Sequence, residues 1–309
     1  MNKDSRIYIA GHNGLVGSAM VNKLKQEGYS NLITLSSNEL DLTDQYKTKM
    51  FFNSMMPEYI FMCAGLVGGI YDNNIRRADY IYNNIMMQSN IIHNSKEFGV
   101  KKLLLLGSSC IYPKNCPQPI KEEYLLTSEL EQTNEPYAIA KIAGLKMAES
   151  YKKQYGCNFI SVMPTNLYGS IKDNYDLNKS HVFAALIRKF YEAKINKSDV
   201  TLWGDGSVYR EFLHVDDLSD AMLFLMLNYD GVIPLNVGTG IDLTIKELAT
   251  KIALAYDFKG NIIWDDSKPN GTFRKQLDTS KINNLGWKPK INLDDGIKQT
   301  IKIYEENIK

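Results

Sequence analysis

The sequence predicts an α/β protein with a doubly wound parallel sheet and a smaller, discontinuous α/β domain. An apolar strand near the start of the chain, residues 6–10, leads directly into a glycine-rich turn and then into a helical pattern. Apolar strands and amphipathic stretches then alternate up to about residue 165, the pattern of repeated strand–helix units. The later residues are less regular, and we expect them to form most of the smaller domain.

The composition excludes several classes of protein. Of the 309 residues, 44% are hydrophobic, enough for a large core. The 36 basic residues nearly balance the 35 acidic ones, so we expect no binding to nucleic acid or to a membrane surface. No apolar run approaches the ~20 residues that span a bilayer, and no signal peptide precedes the first strand, so we expect a cytoplasmic protein. The cysteines lack metal-ligand spacing, so we expect reduced thiols and no metal site: Cys63, Cys110, Cys116 and Cys157.

The turn after the first strand has the sequence Gly11-His-Asn-Gly14-Leu-Val-Gly17. Glycines between a strand and a helix let the backbone approach a pyrophosphate, and the helix N-terminus faces the negative charge. Because this triplet lies directly between a strand and a helix, it predicts a dinucleotide-binding sheet of the Rossmann type. We assign the residues of this turn to the cofactor: Gly11, Asn13, Gly14, Leu15, Val16 and Gly17.

The end of the second strand, residues 31–35, bears on the choice of cofactor. Ser36, Ser37 and Asn38 follow this strand. An acidic residue here would bind the adenosine ribose and favour NAD, whereas an arginine would bind the 2′-phosphate of NADP. Neither type occurs at these three positions, although serine and asparagine can bind a phosphate through neutral hydrogen bonds. These three residues, the tip of the second strand, therefore lack the usual signal for NAD and the usual signal for NADP.

Further strands complete the predicted sheet. The strand at residues 59–64 leads into a glycine-rich segment that we expect near the nicotinamide, and a helical pattern covers 73–98. The remaining strands are residues 101–106, 157–163 and 235–238.

Two domains are expected from this order of elements. We predict that residues 1–165, together with about 208–240, form the cofactor-binding domain. Residues 166–207 and 241–309 are then left for the smaller, substrate-binding domain.

Three side chains predict the chemistry. Tyr137 and Lys141 lie four residues apart, so on a helix both project from one face. We expect the ammonium to lower the pKa of the Tyr137 phenol from its usual ~10. Ser108 follows the fourth strand, where ligands of an open parallel sheet bind, and its hydroxyl can bond the oxygen that the phenol protonates. This set predicts reduction of a ketone by a bound hydride donor, with Tyr137 as the acid. Tyr175 and Lys179 repeat the spacing without this context.

Longer motifs are spread along the whole chain. They are Gly-His-x-Gly-x-Val-Gly-Ser-Ala at 11–19, Ser-Ser-Cys-Ile-Tyr-Pro at 108–113, Thr-Asn-Glu-Pro-Tyr-Ala-Ile-Ala-Lys-Ile-Ala-Gly at 133–144, Met-Pro-Thr-Asn-Leu-Tyr-Gly at 163–169, Ser-His-Val at 180–182 and Arg-Glu-Phe-Leu-His-Val-Asp-Asp at 210–217. This set resembles the GDP-L-fucose synthase family, the GDP-4-keto-6-deoxymannose 3,5-epimerase/4-reductases among the extended short-chain dehydrogenase/reductases. The resemblance implies NADPH as cofactor, a GDP-linked 4-keto-6-deoxy sugar as substrate, and a homodimer.

The resemblance also implies a role for each catalytic residue. It places Ser108, Tyr137 and Lys141 in reduction, and Cys110 and His181 as the acid/base pair of epimerisation. A 4-keto group acidifies the hydrogens at C3 and C5, and a thiol (~8.5) and an imidazole (~6.5) both titrate near neutrality. Alternatives remain open: Cys110 can be a small buried residue at a strand end, and His181 a helix N-terminal residue that bonds the backbone.

Binding residues follow from the same resemblance. Those implied for the cofactor beyond the glycine turn are Ser36, Ser37, Asn38, Asp41, Leu42, Ala64, Gly65, Tyr137, Lys141, Pro164 and His181. Those implied for the GDP-sugar are Ser109, Asn166, Arg188, Lys189, Trp203, Arg210 and Lys275. Guanidinium and ammonium groups suit phosphate oxygens, and an indole can stack on a base or a sugar. A structural salt bridge is an open alternative for Arg188 and for Arg274.

Several positions depart from the family pattern. Cys63-Ala-Gly65-Leu66-Val-Gly-Gly stands where the family has Ala-Ala-Lys-Val-Gly-Gly, so a lysine near the active site is missing. Asn13 and Ser37 replace arginines, and Ser170 replaces a proline. Three functions therefore stay in view: a GDP-4-keto-6-deoxy sugar reductase with epimerisation, a C4 reductase alone on a related substrate such as a GDP-4-keto-6-deoxy-heptose, and a non-catalytic nucleotide-sensing protein. The intact reductive set argues against the third.

Overall fold

A six-stranded, all-parallel sheet forms the centre of the molecule. The computed structural model describes residues 1–170, 172–173, 175–177, 180–267 and 272–308, so Lys179 of the second Tyr/Lys pair lies outside the described residues. The strands are β1 (Ile7–Ala10), β2 (Leu32–Ile33), β3 (Tyr59–Met62), β4 (Lys102–Leu106), β5 (Phe159–Pro164), β6 (Asn166–Tyr168), β7 (Val200–Trp203), β8 (Tyr209–His214), β9 (Leu235–Val237), β10 (Asp242–Thr244), β11 (Ile262–Asp265) and β12 (Arg274–Lys275). The central sheet has the order β2-β1-β3-β4-β5-β9.

Helices cover both faces of this sheet. They are α1 (Leu15–Gln26), α2 (Gln45–Met55), α3 (Ile70–Ile75), α4 (Arg77–Glu97), α5 (Glu135–Tyr155), α6 (Val182–Asn196), α7 (Val215–Asn228), α8 (Ile245–Ala255), α9 (Ser280–Asn284) and α10 (Leu293–Asn307). Alternate side chains of each central strand enter two separate cores, one with α1 and α7, the other with α2, α4 and α5. Burial on both faces explains why these strands are continuous apolar runs. The predicted doubly wound parallel sheet is confirmed.

The order of the strands creates a crevice at the carboxyl ends of β1 and β3. The chain leaves β1 to form β2 on one side and then returns to form β3 on the other side. Ligands of open parallel sheets bind at such a switch point, outside the carboxyl ends of the strands. The glycine turn at residues 11–17 follows β1, and Cys63 and Ala64 follow β3. The topology therefore places the turn at the expected ligand site.

A second, mixed sheet lies in the C-terminal part of the chain. Its central strand β8 pairs with β10 in antiparallel orientation and with β6 and β12 in parallel orientation, while β7 and β11 form a separate parallel pair. A third core packs α6, α8 and α10 against these strands. The proposed division into a cofactor domain and a substrate domain, with the boundaries given above, stays a prediction.

Some elements differ from the sequence-based expectation. The helical pattern over residues 73–98 is two helices, α3 and α4, because Arg76 leaves the helical conformation at φ −111° and ψ 39°. The sequence analysis did not predict the helices α2, α7, α9 and α10 or the strands β6, β7, β8, β10, β11 and β12. Three of these strands, β6, β10 and β12, have only two or three residues and are too short to show periodicity.

Glu211 connects the two sheets through its buried carboxylate. The side chain is fully buried, and its two oxygens accept hydrogen bonds from the backbone N–H groups of Gly240 (2.8 Å) and Leu277 (2.7 Å). The backbone carbonyl of Glu211 accepts bonds from Thr165 Oγ1 (3.1 Å) and Asn166 Nδ2 (2.9 Å), which follow β5. Burial raises the pKa of this carboxyl to about 7.

Replacement of Glu211 by glutamine tests this connection. The amide NH₂ of Glu211→Gln would face one of two backbone N–H donors, so we expect the free energy of unfolding to fall by about 1–3 kcal/mol in urea denaturation. The folded pKa lies above the unfolded value of 4.5, so wild-type stability from this group is full below pH 4.5 and is lost as the pH rises through about 7. The deficit of the variant should therefore shrink over this range. The exposed Glu129→Gln is the control, and an equal loss in both variants would contradict the prediction.

Candidate active site

The glycine turn has the shape that a dinucleotide requires. Gly11 has φ +80°, and a β-carbon there would lie 2.7 Å from Ala64 Cα, while a β-carbon at Gly17 would lie 2.1 Å from the Gly11 carbonyl oxygen. Side chains are therefore excluded at both positions. The N-cap Gly14 has no capping side chain, so the first N–H groups of α1 are free for an anion. His12 Nδ1 in this turn is buried without a hydrogen-bond partner in the described part of the chain. The turn fits a pyrophosphate.

The expected adenosine side of the site is partly organised by its own residues. The Glu39 carboxylate accepts hydrogen bonds from the Ser36 backbone N–H (2.8 Å) and hydroxyl (2.6 Å). The sequence analysis did not predict this role of Glu39. These bonds from Ser36 lower the pKa of Glu39. Asp41 accepts bonds from the backbone and hydroxyl of Thr43, and the Leu42 carbonyl accepts one from Asn90 on α4. The remaining tip residues, Ser37 and Asn38, are exposed.

The reductive set lies at the carboxyl end of the sheet. Ser108 follows β4 and caps a single 3₁₀ turn, where its hydroxyl accepts a bond from the Cys110 N–H at 3.2 Å. Tyr137 and Lys141 lie on α5, whose first turn contains Pro136, and both are buried. The Lys141 ammonium donates to the Leu106 carbonyl at 3.0 Å and lies 5.8 Å from the centre of the Tyr137 ring. The residues that the sequence paired are therefore together in one pocket.

The charge state of this pocket differs from the sequence-based expectation. Burial raises the pKa of Tyr137, as does the nearby Cys110, and the Ser108 hydroxyl opposes this rise. Burial lowers the pKa of Lys141 to about 8. The expected lowering of the phenol pKa by Lys141 is wrong for this state, because burial dominates and the ammonium is directed at Leu106. Tyr137 is consequently protonated at neutral pH, as an acid must be.

The predicted epimerisation pair is divided between two elements. Cys110 lies in the 3₁₀ turn after Ser108, and its sulfur is 3.9 Å from the Lys275 ammonium. His181 is the N-cap residue of α6 and is exposed. Enough protein surrounds its ring, however, for desolvation to lower its pKa. In the described part of the chain the Cys110 thiol is bonded to Lys275 rather than to His181.

Two of the residues that were predicted to bind the substrate lie on neighbouring strands near Cys110. Arg210 and Lys275 are partner residues of the parallel pair β8–β12. Ser109 is buried in the 3₁₀ turn, and Asn166 donates its amide to the Glu211 carbonyl. These residues converge on the end of the sheet that carries Cys110.

Other predicted substrate residues lie on α6 and β7. Arg188 pairs with Glu192 at 2.7 Å and donates to the Tyr175 carbonyl, so the salt bridge left open for it is present. Lys189 donates to the Thr201 carbonyl at 2.8 Å and lies 5.8 Å from the half-exposed Trp203 ring. Their role in binding stays a prediction.

The segment after β3 is fixed by residues that the sequence analysis did not select. Asn84 on α4 accepts a bond from the Leu66 N–H and donates to the Leu66 carbonyl, both at 3.0 Å. A β-carbon at Gly65 would lie 3.5 Å from the Lys141 nitrogen, so this segment borders the reductive set. Pro164, on the other side, ends β5 and is paired with Val237. The sequence signal for Asn84 was an asparagine inside the amphipathic pattern of residues 73–98. The structure shows that this side chain is buried.

Two further classes of site are absent from the described residues. They contain no group of histidine, cysteine and acidic side chains that could hold a metal ion. Within the same ranges, every helix is too short or too polar to cross a bilayer.

Comparisons with known proteins place this geometry in a family. The family model for the NAD dependent epimerase/dehydratase family matches residues 7–238. A putative GDP-L-fucose synthase 2 from Arabidopsis thaliana is 53% identical over 309 residues, covering 100% of this chain and 94% of the relative. A solved GDP-6-OMe-4-keto-L-xylo-heptose reductase from C. jejuni has a TM-score of 0.95 at 41% identity, covering 99% of both chains. A GDP-mannoheptose C4 reductase from Campylobacter jejuni, solved with NADP bound, has a TM-score of 0.92 at 42% identity, also covering 99% of both.

The chain belongs to the NAD dependent epimerase/dehydratase family and, within it, to the GDP-L-fucose synthase family.

Proposed function

We propose that this protein is an NADPH-dependent reductase of the C4 ketone in a GDP-linked 4-keto-6-deoxy sugar, acting in nucleotide-sugar biosynthesis for surface polysaccharide. The observation that carries the proposal is the buried, protonated Tyr137 beside Ser108, at the carboxyl end of a sheet whose glycine turn fits a dinucleotide. Relatives named GDP-L-fucose synthase and GDP-heptose reductases support the substrate class.

The protein residues supply binding and proton transfer in this reaction. The glycine turn would hold NADPH, which would supply the hydride when bound. The Ser108 hydroxyl bonds the substrate keto oxygen and orients it toward the Tyr137 phenol, which donates a proton as negative charge develops on that oxygen. The positive charge of Lys141, one helical turn away, stabilises the phenolate that Tyr137 becomes. Burial of Tyr137 and Lys141 limits the access of water to the proton transfer.

The substrate would extend from this pocket toward the second sheet. We assign residues 1–165 and about 208–240 to cofactor binding, and residues 166–207 and 241–309 to the GDP-sugar. Arg210 and Lys275 suit the diphosphate because both are cations beside the pocket. We also propose a cytoplasmic homodimer, which the family resemblance supports and which light scattering in solution would test.

A second candidate is a C4 reductase alone, without epimerase activity, acting on a related substrate such as a GDP-4-keto-6-deoxy-heptose. Two solved C. jejuni reductases of GDP-heptoses superpose on this chain with TM-scores of 0.95 and 0.92. Gly65 and Leu66, where the family has a lysine, border the reductive set and alter the space around the sugar. A sugar that arrives with the correct configuration needs only the reduction.

One experiment separates these functions. The protein is incubated with candidate GDP-4-keto sugars and NADPH in deuterated water, and the product is examined by NMR. NADPH consumption with a C4 alcohol product supports the reductase, and its absence with every sugar would support a nucleotide-sensing protein. Deuterium at C3 or C5 indicates epimerisation, while its absence indicates a reductase alone.

Removal of the Tyr137 hydroxyl should abolish most reduction. Because the phenol protonates the developing alkoxide, Tyr137→Phe should lower kcat by about 10²–10⁴. GDP-sugar binding should be largely retained, as measured by calorimetry. Tyr175→Phe is the matched control, since its hydroxyl bonds the Ser170 carbonyl. Turnover near wild type in Tyr137→Phe, with a slow Tyr175→Phe, would contradict the assignment.

NADPH should be preferred over NADH, but only moderately. Neutral serine and asparagine side chains bind a 2′-phosphate less strongly than a bidentate arginine, so we expect a ratio of kcat/KM of about tenfold. Glu39→Gln should increase this ratio roughly fivefold, because it removes a carboxylate that is bonded to Ser36 at the tip. Glu129→Gln is the exposed control, and a higher kcat/KM with NADH in the wild type would overturn the prediction.

Epimerisation and reduction should be separable at Cys110. We expect Cys110→Ser to retain measurable C4 reduction of a sugar that is already correctly configured, because the hydride and proton transfers use other residues. Any deuterium exchange at C3 or C5 seen in the wild type should be lost, because serine is a much weaker acid than the thiol. Loss of all reduction, with fold and GDP binding intact, would show that the two activities share Cys110.

A further inference from the structure

The turn that follows β4, residues 107–112 and here called the serine turn, has an anchor at each end. At its start, the Gly107 N–H donates to the Val162 carbonyl on β5 at 2.8 Å. At its end, the Tyr112 hydroxyl donates to the side-chain oxygen of Asn236 on β9 at 2.6 Å. Tyr112 is buried, and Asn236 is fully buried. The position of Ser108 between the two anchors therefore depends on a contact with the last strand of the central sheet.

Asn236 uses both the oxygen and the amide group of its side chain. The amide donates to the carbonyls of Ile120 at 2.8 Å and Asp278 at 3.2 Å, while the oxygen accepts from Tyr112. The backbone N–H of Asn236 donates to the Glu122 carboxylate at 3.1 Å. Burial raises the pKa of Tyr112, so its hydroxyl stays protonated and remains a donor. A leucine would offer none of these side-chain groups, and an aspartate would offer no donor.

The carbonyls that Asn236 binds lead to the second sheet. The Ile120 N–H donates to the Gln276 carbonyl at 2.7 Å, and the Ile120 carbonyl accepts from the Asp278 N–H at 2.8 Å. Residues 276–278 directly continue β12, the strand that carries Lys275. One buried side chain thus connects the serine turn to the segment that follows this strand.

We propose that Asn236 is a positioning residue of the reduction, which keeps the serine turn and the strand that carries Lys275 at a fixed spacing. The proposal deepens the proposed function and rests on it for the contact of Ser108 with the keto oxygen. Ser108 lies four residues before Tyr112, and Lys275 lies three residues before Asp278, so both bonded ends are close to residues assigned to the substrate. A misplacement of about 1 Å can lower a rate on the order of 10²-fold.

Removal of the Tyr112 hydroxyl tests the link to the serine turn. Tyr112→Phe keeps the ring and removes one donor, so we expect kcat to fall about tenfold and KM for NADPH to stay within about twofold of the wild type. Tyr151→Phe is the matched control, because its hydroxyl lies 2.9 Å from His93 Nδ1. Tyr151 follows Tyr137 on α5 by roughly 20 Å along the helix, so the control should leave kcat unchanged.

Asn236→Asp tests the link to the second sheet. The carboxylate still accepts from Tyr112 but can donate to neither carbonyl, so the segment that follows Lys275 loses its anchor. We therefore expect a lower kcat together with an affinity for GDP, measured by calorimetry, that is about fivefold weaker, the equivalent of one lost hydrogen bond. Tyr112→Phe should retain the wild-type affinity for GDP. A loss of stability alone would not separate kcat from GDP binding in this way.

Hydrogen exchange of the substrate-free protein makes the test independent of the sugar. The backbone amides of residues 107–112 should exchange about tenfold faster in Tyr112→Phe and Asn236→Asp than in the wild type, and at the wild-type rate in Tyr151→Phe. If the wild type reduces none of the candidate sugars, the proposed function fails, and the exchange rates and GDP affinities alone decide the role of Asn236.

Three results would overturn the proposal: a wild-type kcat in Tyr112→Phe, an equal loss of kcat in Tyr151→Phe, or unchanged exchange of the serine turn in Tyr112→Phe. Thermal unfolding establishes that each variant is folded. If Asn236→Asp does not fold, Tyr112→Phe decides the outcome.

Discussion

The arrangement of the two sheets depends on one buried carboxylate. Glu211 lies on β8, and its side chain accepts backbone N–H groups from the turn after β9 and from the segment after β12. Its own carbonyl accepts bonds from the residues that follow β5. A buried carboxylate without these donors would be strongly unfavourable, so the segments must approach each other for the charge to be tolerated. A β-carbon at Gly238 would lie 2.0 Å from one of its oxygens, which shows how closely the backbone surrounds it.

This connection also sets the geometry of the active site. Arg210 precedes Glu211 on β8, and Lys275 lies two residues before Leu277, whose N–H the carboxylate accepts. The register between β8 and β12 therefore fixes both cations relative to Cys110, which belongs to the end of the central sheet. The rate of a proton transfer is sensitive to displacements of about 1 Å. A fixed link between the two sheets therefore helps to keep the reacting groups at the distances that the transfer requires.

The two halves of the site are organised by different forces. Tyr137 and Lys141 of the reductive set are buried, and desolvation keeps Tyr137 protonated and lowers the pKa of Lys141. The Cys110 side is dominated by charge, with two cations and no carboxylate partner for them among the described residues.

The sequence by itself determined the central sheet, the glycine turn and the pairing of Tyr137 with Lys141. These features depend on local periodicity and on a spacing of four residues, which a single segment displays. The tertiary structure decided where the Lys141 ammonium points, that Asn84 fixes the Leu66 backbone, and that Lys275 lies beside Cys110. Cys110 and Lys275 are 165 residues apart. No local pattern records such a contact, because it arises from the register of β8 with β12 and from the burial of Glu211.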